Sequence, residues 1–81
     1  MRLTLKQIRY FLAAAETGQF SAAAVQVHVT QTAITASIRE LEQTLNVALF
    51  ERRHASGVEL TPDGQRFMQH ALSIQIAIKA P

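Results

Sequence analysis

Eighty-one residues, 48% of them apolar and 17% charged, make one small domain with ample core-forming content, and no low-complexity tract suggests disorder. The absence of cysteine excludes a disulfide framework and thiolate-bound zinc. The net charge of +2 permits nucleic acid as a partner without demanding it; no apolar run nears the roughly 20 residues that cross a bilayer, and no apolar stretch after Met1-Arg2 forms a signal peptide, so a cytoplasmic protein without membrane contact is expected.

Thr4 and Gln7 have the spacing of a capping box. Leu5, Ile8, Phe11, Leu12 and Ala15 follow at helical intervals, and Gly18 can take the left-handed conformation past a helix end. A first helix from Leu5 to Thr17 is predicted. Ser21 is expected to cap a second, with Phe20 and Val25 forming a hydrophobic staple and Val25 and Val29 facing the core. His28 should close that helix. Thr30 then caps a third, from Gln31 to about Leu45, with Ile34, Ile38, Leu41 and Leu45 as its buried stripe and Asn46 at its end. Phe50-Glu51-Arg52-Arg53 and Val58-Glu59-Leu60 read as a two-stranded hairpin with Gly57 at the turn. Thr61-Pro62 opens a fourth helix, where Phe67, Ala71, Ile74 and Ile78 make a stripe that Met68 and Leu72 widen. The predicted fold class is mainly α: a winged helix-turn-helix with a C-terminal linker helix.

No charged residue lies between Thr17 and Ile38, so the face of the third helix opposite its apolar stripe is small, neutral and polar. A core-held helix of this kind suits a DNA groove, with base edges read by neutral groups and phosphates held by flanking basic ones.

These residues, in order and without a gap from about Leu3 to Phe67, resemble the DNA-binding domain of LysR-type bacterial transcriptional regulators. The likeness rests on Ile8-Arg9-Tyr10-Phe11, on Gly18-Gln19-Phe20-Ser21-Ala22-Ala23-Ala24, and on His28-Val29-Thr30-Gln31. It continues through Ile38-Arg39-Glu40-Leu41-Glu42, Leu49-Phe50-Glu51-Arg52 and Leu60-Thr61-Pro62-Asp63-Gly64. It implies that the third helix enters a major groove, that the wing touches the adjacent minor groove or backbone, and that the fourth helix pairs in a dimer. It also implies a larger C-terminal domain that binds a small-molecule effector, making this chain a fragment or truncated product. The expected division is a winged helix-turn-helix over residues 1–61 (helix-turn-helix about 20–39, wing about 50–60) and a linker and dimerisation helix over 62–81. Two positions depart from the family: Thr32 stands where proline is usual, and Ala36 where arginine is frequent.

The expected DNA-binding residues are Ser21, Thr30, Gln31, Thr32, Thr35, Arg39, Arg52 and Arg53. Gln31 can pair bidentately with adenine; Thr32 and Thr35 can bond base edges or touch a thymine methyl. Arginine suits phosphates and narrow minor grooves, so one of Arg52 and Arg53 is assigned to DNA and the other to structure. Arg39 reaches a phosphate or pairs with Glu42 or Glu16; the sequence leaves both open. Arg2, Lys6 and Arg9 form a basic cluster that is either solvated or near phosphate. The start of the second helix at Ser21 can offer backbone N–H groups to a phosphate. Phe67, Ala71, Ile74 and Ile78 are assigned to a homodimer interface, the alternative being packing onto the same domain's core. His28, His54 and His70 share no metal-ligand spacing, so no metal, cofactor or catalytic residue is expected. The leading expectation is sequence-specific binding of duplex DNA, at an operator with an inverted repeat, for transcription regulation. The alternative is a winged-helix protein-interaction module.

Overall fold

Thr4 accepts the Gln7 N–H at 3.1 Å and donates its own N–H to Gln7 Oε1 at 2.9 Å, completing the capping box that starts α1 (Leu5–Thr17). In the computed structural model, which describes residues 3–53 and 57–79, α1 is followed by α2 (Phe20–Val27), α3 (Gln31–Leu45), β1 (Phe50–Arg52), β2 (Val58–Leu60) and α4 (Pro62–Lys79). Gly18 ends α1 at φ 75°, and its N–H reaches the Ala14 carbonyl. His28 ends α2 at φ 62°, where the Val29 N–H bonds the Ala24 carbonyl at 2.9 Å. That bond from the sixth residue back to the first is the Schellman closure, here with histidine in the place usually given to glycine. Thr30 accepts the Ala33 N–H at 3.1 Å, so the corner turns from one helix to the next within three residues. Asn46, at φ 59°, closes α3 as expected.

The start of α2 differs from the sequence reading. Gln19, not Ser21, is the N-cap, and Ser21 lies within the first turn. The cause is tertiary: Gln19 is held extended by a bridge to Gly57, and its carbonyl already accepts the Ala23 N–H. Val25 faces outward, 76% exposed, so neither its core position nor the staple with Phe20 forms. Leu5 is also outside the core, 55% exposed in the first turn of α1.

β1 and β2 pair antiparallel, with Phe50 opposite Leu60, Glu51 opposite Glu59 and Arg52 opposite Val58. A lone hairpin of this length would not persist in water. Here Val58 donates to the Gly18 carbonyl at 2.9 Å, and Gln19 bridges Gly57, so β2 is stitched to the α1–α2 corner. Gly57 belongs to this paired region, its carbonyl accepting the Arg53 N–H at 3.0 Å; the tip, residues 54–56, lies outside the described residues.

Phe11 sits at the centre, fully buried, with Phe67 edge-on at 5.0 Å and Phe50 at 5.4 Å; Phe20 meets Phe50 at 5.5 Å. Four elements thus meet through one aromatic cluster, and each such pair adds to simple burial. Ile34, Ile38, Leu41 and Leu49 complete the inner layer.

Phe67 and Ala71 belong to this core and are buried within their own chain, which removes them from the expected dimer interface. The periodicity of α4 showed that one face is covered; it did not show by what. Ile74 is half-buried against the same core, and Ile78 lies outside the residues whose side chains are described.

Candidate nucleic-acid interface

Burial of Ile34, Ile38 and Leu41 fixes the rotation of α3 about its axis. Gln31, Thr32, Ala36 and Arg39 consequently stand exposed on the opposite side, with Thr35 half-buried among them. These five residues edge one shallow depression. An α-helix is about 10–12 Å across with its side chains, and a B-DNA major groove is about 12 Å wide, so a helix anchored on one side and free on the other can enter it.

The wing supplies the second wall. Phe50 is fixed in the aromatic cluster, and strand alternation puts Arg52 on the same strand face as Phe50, two residues further out. Arg52 lines one cleft with Gln31, Thr35 and Arg39, and Glu51 and Glu42 line it too. Arg53 points the other way and pairs with Glu59 at 3.2 Å. That pair is well exposed and contributes little to stability, but it places one cation beside Glu59, which faces the like-charged Glu51 across the ladder. The two wing arginines, equivalent in the sequence, thus separate into one that faces the cleft and one that is engaged within the hairpin.

Arg39 also resolves. Among the described residues it has no ion pair with Glu42 or Glu16. The Glu42 carboxylate is turned instead toward the backbone, accepting the N–H groups of Leu49 at 2.7 Å and Phe50 at 3.3 Å. Thr30 is committed to capping α3 while remaining exposed at the corner. Ser21 is exposed in the first turn of α2, and no side chain caps that helix, so its leading N–H groups stay available to an acceptor. The N-terminal basic cluster is exposed at Lys6 and Arg9, with Arg2 outside the described residues. No group of three metal-ligating side chains occurs among the described residues, and no described helix is long and apolar enough to cross a membrane.

Gln31, Thr32, Thr35, Arg39 and Arg52, all expected at DNA from the sequence, line two adjoining depressions that share Gln31, Thr35 and Arg39. Sequence reasoning missed the part played by Glu42, whose bonds reach seven and eight residues ahead across a loop and have no local signal. It also missed Gly64, whose lack of a side chain lets α4 approach the start of the wing. A glycine inside the first turn of a helix was the available clue.

The profile for bacterial regulatory helix-turn-helix proteins of the lysR family matches residues 5–65. The chain belongs to this family. Among its relatives, the transcriptional regulator ClcR of Pseudomonas putida is 49% identical over 69 residues, which cover 85% of this chain and 23% of that protein. The regulator TcbR of Pseudomonas sp. strain P51 is 43% identical over 72 residues, covering 89% of this chain and 24% of that protein. The chain therefore spans about a quarter of the length of these lysR-family relatives. In three dimensions it is similar to the CbnR DNA-binding domain solved in complex with DNA, with a TM-score of 0.88 and 41% identity over 94% of this chain and 86% of that one. It is likewise similar to the BenM DNA-binding domain on benA site 1 DNA, with a TM-score of 0.87 and 32% identity over 94% and 84% of the two chains. The mainly helical winged helix-turn-helix expected from the sequence is the lysR-family architecture found here.

Proposed function

We propose that this chain is the operator-reading module of a bacterial transcriptional regulator, acting on duplex DNA as a homodimer and without enzymatic activity. The observation that carries the reading is the cleft between α3 and the wing. It joins a neutral, hydrogen-bonding helix face (Gln31, Thr35) to two arginines (Arg39, Arg52) on its rims. Base contacts specify and phosphate contacts position, and this surface provides both within one helix width. Two structural neighbours were solved on DNA, which supports the same use of the surface here. Gln31, Thr32 and Thr35 read bases. Arg39 and Arg52 hold phosphates or the minor-groove edge, Ser21 and Thr30 present the α2 and α3 starts to the backbone, and Arg53 supports the hairpin. The relatives are about four times longer than this chain, which supports a separate effector-binding domain in the whole protein.

Selection of bound sites from random duplex DNA, followed by affinity at several salt concentrations, tests this. An enriched inverted repeat and a log–log salt slope of about −0.9 per neutralised phosphate are expected; a flat slope with no enriched site would favour a protein-interaction module instead. Gln31→Ala should cost about 1–3 kcal/mol on the selected site and relax preference at one or two positions. An equal loss on random DNA would move Gln31 to a backbone contact. Arg52→Ala should lower the magnitude of the salt slope by about 1 and weaken binding to all sequences, whereas Arg53→Ala should leave the slope nearly unchanged. A reversed order would exchange their roles.

A further inference from the structure

We infer that Glu42 is the positioning residue that sets the wing against the recognition helix. This rests on the reading of Arg52 as a DNA contact. Glu42 lies on α3, one turn beyond Arg39, and lines the same cleft as Gln31 and Arg52. An acidic group there would repel phosphate if it faced outward. Its Oε2 instead accepts two successive backbone N–H groups, Leu49 at 2.7 Å and Phe50 at 3.3 Å. These lie at the point where the chain leaves the α3–β1 loop and becomes β1. Charge-assisted bonds to backbone N–H groups are the stronger kind and directional.

From the other side, Thr61 donates its hydroxyl to the Ala48 carbonyl at 2.6 Å and its N–H to the Leu49 carbonyl at 3.0 Å. The three residues 48–50 are therefore gripped between α3 and the start of α4, and the Glu42 bonds are a direct polar tie from the base-reading helix to the base of the wing. Two residues further along β1 stands Arg52. Without the carboxylate, the base of β1 loses two of the bonds that set its angle to α3, and Arg52 shifts with it; the carboxylate thus acts on DNA binding through Arg52 without touching DNA.

The sign of the effect separates positioning from charge. As a plain negative charge near DNA, Glu42 would weaken binding, and its removal in Glu42→Ala or Glu42→Gln would strengthen it. As a positioning group, Glu42→Ala weakens binding, Glu42→Asp weakens it too because the carboxylate falls one methylene short, and Glu42→Gln keeps the slope because its amide oxygen can take both N–H bonds.

The experiment measures nonspecific duplex affinity against salt for the whole 81-residue chain, with thermal melts to establish folding. Glu42→Ala and Glu42→Asp are expected to lose about one phosphate's share of the slope, roughly 0.9. Adding Arg52→Ala to either should produce no further loss. If Glu42→Ala does not fold, the Asp and Gln variants decide alone. Wild-type slopes in both Ala and Asp variants, or losses additive with Arg52→Ala, overturn the inference. If Arg52→Ala itself leaves the slope unchanged, the reading of the wing as a DNA contact has failed, a result separate from any outcome at Glu42.

Discussion

Gly64→Ala should destabilise this domain by about 3 kcal/mol or more, at the upper end of what overpacking usually costs. In an open helix position the same change would stabilise, because alanine is a better helix former than glycine by about 1 kcal/mol. Geometry reverses the sign. A Cβ on Gly64 would overlap the Leu49 carbonyl oxygen and lie 3.0 Å from both the Leu49 carbonyl carbon and Leu60 Cδ2. The oxygen cannot step aside freely, since it already accepts the Thr61 N–H. Gly64 in turn donates its N–H to Thr61 Oγ1 at 2.9 Å, and that hydroxyl holds Ala48. Relief therefore requires α4 to move away from the wing base, loosening Phe67 from Phe11. For a domain of this size such a loss lowers Tm by more than about 10 °C, readable by circular dichroism. A variant as stable as the parent would show that α4 does not approach the wing this closely.

What the sequence disclosed, and what it hid, follows from the reach of each interaction. The bounds of α1 and α3 were readable because their signals are local. Thr4 and Thr30 cap by bonding three residues ahead, and Gly18 and Asn46 stop the helices where the left-handed conformation is tolerated. The start of α2 was not readable, because the extended state of Gln19 is imposed by Gly57, far along the chain. The cap falls two residues before the Ser21 that the sequence suggests, and Val25 faces solvent.

The candidate site shows the same division. The apolar period of α3 located the polar face that carries Gln31 and Thr35. The separation of Arg52 from Arg53 depended on strand pairing and on where Phe50 is anchored, which neighbouring arginines in a sequence cannot reveal. Glu42 looked like an ordinary helix-surface charge until its carboxylate was seen against the loop.

Leu72→Asp should abolish dimerisation and, with it, 10²- to 10⁴-fold of affinity for a full inverted repeat, the range that linking two sites provides. The choice of Leu72 follows from the burial along α4. Phe67 and Ala71 are used by the chain's own core, and Ile74 leans on it, so an acidic residue at any of these would perturb the fold itself. Leu72 is 36% exposed and sits with Leu12, Val27 and Met68 on a groove between α1, α2 and α4, edged by Arg9 and Glu16. A groove of apolar floor and mixed polar rim, with Gln26, Gln75, one cation and one anion around it, suits an isologous contact, in which the same surface of a second copy meets it about a two-fold axis. Such a pair would also set two copies of α3 at a fixed spacing along one face of DNA, which is what an operator with two half-sites requires. A carboxylate at position 72 would be buried without a partner on both sides of the axis, an arrangement too costly to persist. Sedimentation at rising concentration should show the parent chain as a dimer and Leu72→Asp as a monomer that still melts cooperatively, at a lower temperature that no longer depends on concentration. Affinity for a single half-site should be the same in both. A parent chain that stays monomeric at high concentration, and binds the full repeat no more tightly than a half-site, would remove this groove from the dimer and leave Leu72 an ordinary surface residue.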